Sequence, residues 1–317
     1  MKRTIISGLV SLIALIGTAF VTVPAQATTY CATTPATCGF PQGSTTGYII
    51  PLNQLTQVPQ QATSGNGWSY SNGTITVTGT NAVLDKISTA AGIDVRASGV
   101  TINQSRVYGA LTGSPGIGLE PAANNTTIEN TLIAGTNPTN GTMLVGVKDV
   151  QGTPVTGTVI NKCNIYNTSS GIQIYQGTIE NSYIHDLGNT GTEHLEDYNS
   201  TGNSGYPVTI FHNTLLNRQS QTAAVYEGAD FSPSQNITVN DNLLAGGGYT
   251  VYGGGIGVGS QADPMNIVFT NNIFSQIYFA NYGSYGPDAY YDSGNGDVWS
   301  GNTSDNGTKT GTGTVGP

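Results

Sequence analysis

The segment NITVNDNLLAG, Asn236–Gly246, recurs along the chain with drift, and this recurrence restricts the fold more than any other property. Related units start at Gly99 (GVTINQSRVYG), Asn125 (NTTIENTLIAG), Gly157 (GTVINKCNIYN), Gln176 (QGTIENSYIHD), Pro207 (PVTIFHNTLLN) and Asn266 (NIVFTNNIFSQ). Their central apolar residues are Ile102, Ile128, Ile160, Ile179, Ile210, Val239 and Phe269, separated by 26, 32, 19, 31, 29 and 30 residues. Five positions later a second apolar column follows: Val107, Ile133, Ile165, Ile184, Leu215, Leu244 and Phe274. Self-similarity at such a period is the mark of a solenoid, in which each unit buries its apolar face only against its neighbours.

The columns predict local structure. Each unit reads as a short β-branched strand of alternating character, a bend, and a second short strand. Between the apolar columns lie Ser105, Thr131, Cys163, Ser182, Asn213, Asn242 and Asn272, which stacking turns into a ladder of hydrogen-bonding side chains. Cys163 shares that column and is read as a buried, inert thiol. No helical period competes, so the expectation is an all-β, single-domain parallel β-helix of roughly 8–10 coils, capped at its N-terminal end.

The flanks are read separately. A basic start (Met1-Lys2-Arg3), an apolar run and Ala25-Gln26-Ala27 give a secretory signal peptide over residues 1–27, with mature chain from Thr28. No later stretch is apolar enough to span a bilayer. Residues 28–70 are expected to form an irregular cap over the open end of the stack, 71–305 the helix, and 306–317 a flexible tail. Cys31 and Cys38, in CATTPATC, are expected to form a disulfide pinning the first turn, as suits an oxidising compartment.

With 44 Gly, 9% charged and 37% hydrophobic residues, the composition suits a turn-rich solenoid with a packed core. Nine Lys and Arg less Lys2 and Arg3 leave seven, and the net charge of −9 argues against nucleic acid or anionic membrane as a partner. The expected partner is a polysaccharide, and the expected state is an extracellular monomer.

Outside the columns, the segment before each new unit carries the chemically active side chains: Glu120, Lys148, Gln173 with Tyr175, His194 with Glu196 and Asp197, Tyr226 with Glu227 and Asp230, then Tyr252. Stacked, they would make a lateral stripe of carboxylates, an ammonium, an imidazole and aromatic rings. Rings that pack on sugar faces and carboxylates that hold hydroxyls or cations suit a glycan groove.

The repeat units and the Gly-rich coil NDNLLAGGGYTVYGGG resemble the secreted right-handed parallel β-helix proteins of the pectate-lyase-like superfamily, over residues 81–302. That resemblance implies a right-handed coil and a polysaccharide lyase or glycoside hydrolase. From a His-x-Asp-Gly-type segment only His194 and an acidic neighbour carry over, and the Asp-Asp, Gly-His-Gly and Arg-x-Lys set of polygalacturonase-like hydrolases is missing.

A lyase must neutralise the substrate carboxylate before the adjacent C–H can lose its proton. Glu196, Asp197, Glu227 and Asp230 could hold Ca²⁺ for that purpose, with Lys148, Arg218, His194 and Tyr226 as base, clamp and proton donor. A hydrolase would instead pair Glu196 or Asp197 with Glu227 or Asp230. Elimination is placed ahead of hydrolysis, and Glu120, Tyr175, Tyr226, Asp230 and Tyr252 are assigned to substrate binding. The rival reading is a non-catalytic glycan-binding or surface β-helix. His212, inside a unit, is read as a turn or ladder residue, and His185-Asp186 as a capping pair.

Overall fold

A computed structural model describes residues 29–317, except Thr153, Thr192 and Ile256. The signal peptide expected over residues 1–27 lies outside the described residues. Each coil contributes one strand to each of three parallel sheets. In chain order these are sheet I (nine strands), sheet II (eleven) and sheet III (eleven). The result is a right-handed parallel β-helix of about eight coils. No described helix is long and apolar enough to cross a membrane.

The predicted register holds throughout. In sheet I, Leu84, Ile102, Ile128, Ile160, Ile179, Ile210, Val239, Phe269 and Trp299 pair one above another. In sheet II the column runs from Val107 through Ile133, Ile165, Ile184, Leu215 and Leu244 to Phe274. From Val107 to Phe274 every member is fully buried. Each such side chain contributes roughly 1.5–3 kcal/mol of transfer free energy, so the stack is held mainly by these apolar files.

The bend between sheets I and II has one recurrent cause. Its corner residue adopts a left-handed backbone in every coil, with φ of 47° at Gln104 and Asn130, 52° at Lys162, 51° at Asn181, 52° at His212, 53° at Asp241 and 56° at Asn271. His212 is thus a turn residue, as its place in the unit suggested. The residue after each corner points back inside and builds the expected ladder. Asn213, Asn242 and Asn272 each receive the backbone N–H of the preceding rung or pass it upward, at 2.8–3.0 Å, ending on Asn302. Their amide nitrogens donate to Ile179, Ile210 and Val239 carbonyls at 2.9 Å. Cys163 lies in this column, and burial pushes its thiol up to about 12, which keeps it inert.

Both flanks differ from expectation. The Cys31–Cys38 disulfide is present, but it lies at the far end of the molecule. Cys31, Ala32, Cys38 and Phe40 pack on Leu216, Leu243, Ala245 and Ile273, the outer face of sheet II in the later coils. Asp305 accepts the backbone N–H groups of Cys31 and Ala32 at 2.8 and 3.2 Å. From there the chain runs back along sheet II: the Pro41 carbonyl accepts from Thr214, Gly47 N–H donates to Lys162, and Ile49 N–H to Gln104. It then joins sheet II as Thr56–Val58. Residues 29–50 are therefore a lengthwise strap. The end of the stack is closed instead by the antiparallel pair Trp68–Ser71 and Thr74–Val77, with Trp68 and Tyr70 on the core. The tail is also placed: Thr312–Thr314 pairs antiparallel with Thr303–Ser304, and Trp299 donates to the Val315 carbonyl at 2.6 Å.

Candidate functional site: the outer face of sheet III

Sheet III is where the coils depart from their apolar pattern. Ile117, Val147, Ile172, Tyr198, Val225 and Val251 are in register and buried. The residue after each therefore faces outward by strand alternation. That outer file is Gly118, Lys148, Gln173, Asn199, Tyr226 and Tyr252; the register pairs Gly118 with Lys148, Lys148 with Gln173, Asn199 with Tyr226, and Tyr226 with Tyr252. Gln173 closes the gap by donating to Asn199 at 3.3 Å. Adjacent rungs are about 4.8 Å apart, so the file is a straight polar-to-aromatic track. At its later end the rings of Tyr226, Tyr249, Tyr252, Tyr285 and Tyr290 form a cluster with centroids 5.2–5.8 Å apart. Tyr285 and Tyr290 are exposed.

Glu196 lies beside the track, level with Ser170 below and Ala223 above. Its side chain is almost enclosed, at 1% exposure, and Oε2 accepts from Ser170 Oγ at 2.8 Å. Burial raises its pKa, and hydrogen bonds from Ser170, Asn199 and Thr222 together with nearby His194 oppose that rise. A carboxyl whose hold on its proton is strengthened by burial, beside a polar track, suits a proton donor. Tyr226 is pushed up to about 12 by burial first and then by Asp230, so it stays a neutral phenol.

The other predicted residues do not all join this face. Lys148, Tyr226 and Tyr252 are in the outer file, as the stacking argument required. His194 is exposed at the entry to the Glu196 strand, with Nδ1 at 3.4 Å from Thr222 Oγ1. Asp230 is exposed on the loop after Glu227 and acts on Tyr226. Glu227, by contrast, has the parity of core residue Val225 and is fully buried, and Asp197 is fully buried too. All four of their carboxyl oxygens lack a hydrogen-bond partner. Neither can meet a substrate on the outer face, and the catalytic roles expected for them are withdrawn. For the same reason the quartet Glu196, Asp197, Glu227 and Asp230 does not assemble: no group of three or more His, Cys, Asp or Glu among the described residues is placed to hold a metal ion.

Arg218 is engaged elsewhere, 3.0 Å from Asp186, which also meets His185 at 2.7 Å. Glu120 lies just past its strand and accepts from Gln151 at 2.6 Å. Tyr175 lies beyond the end of its strand, its N–H donating to Asp149 and its hydroxyl 3.5 Å from Thr201. With exposed Phe231 it lines a separate cavity of about 250 Å³. Asn199, Ser170 and Thr222 were not singled out from the sequence, although a signal existed. Stepping from Lys148 by 25, 26, 27 and 26 residues gives Gln173, Asn199, Tyr226 and Tyr252, the outer file itself.

No protein-family model matches the chain, and no curated protein does. Among solved structures it is similar to the Dettilon tailspike protein, with 14% sequence identity and a TM-score of 0.39, over 73% of this chain and 54% of that one. The chain therefore spans about half the length of that structure.

Proposed function

We propose that the outer face of sheet III binds a glycan chain and that Glu196 protonates a glycosidic oxygen in its hydrolysis, in a secreted protein of the pectate-lyase-like kind. The observation that carries this reading is the continuous file from Lys148 to Tyr252 with a buried carboxyl of raised pKa at its side. Amide, hydroxyl and aromatic groups in a row suit sugar hydroxyls and sugar faces. In the reaction, Glu196 gives its proton to the leaving oxygen as the bond to the anomeric carbon breaks. Asp230 takes a proton from the water that adds to that carbon.

Hydrolysis moves ahead of elimination for two reasons. Arg218 is committed to Asp186, which leaves Lys148 as the single cation of the outer file to meet a substrate carboxylate. Asp197 and Glu227 are enclosed and cannot share a cation with Glu196. One observation favours a second reading, glycan binding without turnover: at 1% exposure, Glu196 must be uncovered before it can touch a substrate.

The test is a panel of neutral glycans and uronans, followed both by reducing ends and by ultraviolet absorbance of an unsaturated product. Reducing ends without absorbance are expected, and Glu196→Gln should lower the rate by about 10²–10⁴ while leaving affinity intact. Absorbance would overturn hydrolysis in favour of elimination. Affinity without either signal would establish the binding reading.

A further inference from the structure

On the opposite side of the molecule, between the strap and the corners joining sheets I and II, lies a cavity of about 300 Å³. Phe40, Pro41 and Thr45 of the strap form one wall, and the corner residues Lys162, Asn181 and His212 of three successive coils form the other. We propose that this cavity is a binding site for a small organic carboxylate. The proposal is independent of the reading given for sheet III.

The corner row itself supplies the first argument. A left-handed corner suits Asn, whose short polar side chain tolerates that conformation, and Asn fills it at 130, 181 and 271. Lys162 and His212 stand at φ 52° in the same row, where longer side chains are disfavoured, and both line the cavity. Gln104 holds the same conformation without lining the cavity, so what sets Lys162 and His212 apart is the cavity they share.

Charge supplies the second. In a chain with nine Lys and Arg against eighteen Asp and Glu, an amine and an imidazole share this one cavity. Lys162 makes no ion pair among the described residues. His212 uses Nδ1 on Asp241 Oδ2 at 2.9 Å, and its Nε2 has no hydrogen-bond partner among the described residues. The contrast with His185 is informative, since that ring is engaged at both nitrogens by Asp186 and Asn164. Asp241, which His212 engages, is also met at 3.9 Å by Lys309, so its repulsion of an anion is blunted.

Shape supplies the third. Phe40 stacks against the His212 ring, centroids 5.5 Å apart, and at 2% exposure it backs that ring rather than offering a face of its own. Asn181 and Thr45 add an amide and a hydroxyl. An ammonium for the carboxylate and neutral polar groups for the body that carries it together define the ligand class.

The experiment uses the full chain and follows the His212 ring resonances by NMR during titration with D-galacturonate, benzoate or glucose. Saturable shifts with either acid, and none with glucose, are expected; whichever acid binds tells a sugar body from an aromatic one. Lys162→Asn is the deciding variant, because it restores the residue the corner prefers. It should weaken acid binding at least about tenfold by loss of the charged contact, with Tm unchanged or raised. Failure of both acids to bind, equal shifts with glucose, or unaltered binding in Lys162→Asn would each overturn the proposal. A Tm lowered by Lys162→Asn would also overturn it, since Lys162 would then be a structural residue.

Discussion

Asp197 and Glu227 are charges that the fold does not accommodate. Both are completely buried and unpartnered, and burial lifts the pKa of each well above the ordinary carboxyl range. Asp149 is lifted in the same way to about 7, restrained by the backbone N–H groups of Tyr175 and Val155. A raised carboxyl holds in the folded state a proton that the unfolded chain has released. The sign follows: folding is least penalised below about pH 4, the unfolded value, and loses stability as pH climbs toward the folded one. The slope is at most about 1.4 kcal/mol per pH unit for each group. Urea midpoints from pH 4 to 8 should therefore fall more steeply for the parent than for the Asp197→Asn, Glu227→Gln double variant, and the two should converge near pH 4. Parallel slopes would show that these carboxyls are solvated. Period-two alternation already placed Glu227 with the core residue Val225, but its acidic character suggested the surface. Chemistry outweighed parity in that reading, and parity was the better guide.

At the scale of elements, the two apolar files and the polar column between them were legible because each is a short-range pattern repeated seven times. The strap was not. CATTPATC revealed its disulfide, since partners seven residues apart need only local geometry. Its docking partner Asp305 is 274 residues away from Cys31, and no periodic signal connects them. Nor does an apolar run mark the strap, because Phe40 and the two cysteines carry most of its contact with sheet II. Asp305→Ala removes the acceptor of two buried N–H groups, each worth about 1.5–3 kcal/mol when hydrogen-bonded to a charge. Amide exchange should then accelerate across residues 31–47 while the corners and ladder of the central coils stay protected. Equal loss of protection in the central coils would mean that the strap and the solenoid unfold as one unit.

The whole molecule is a rod whose chemistry is read along its length. The outer file of sheet III was partly legible, with Lys148, Gln173, Tyr226 and Tyr252 placed correctly. Asn199 was passed over because the acidic pair Glu196-Asp197 just before it drew the reading, although the nearly constant step along the file marks it. Net charge acts at this scale too. A chain at −9 repels a polyuronate and is indifferent to a neutral glycan. Raising salt from about 0.02 to 0.3 M should thus speed polyuronate association by shortening the Debye length, and leave a neutral glycan unaffected. Stopped-flow rates falling with salt for the polyuronate would instead point to Lys148 and a local cationic field. Joining Cys31 to Asp305 has a further effect, on the order of events during synthesis. Coils can stack from the leading end as they emerge, since each needs only the one before it. The segment emerging among the earliest has no resting place until the final turns exist. It must wait in an open conformation, exposed to proteases and oxidants, and it locks down only when the trailing end arrives.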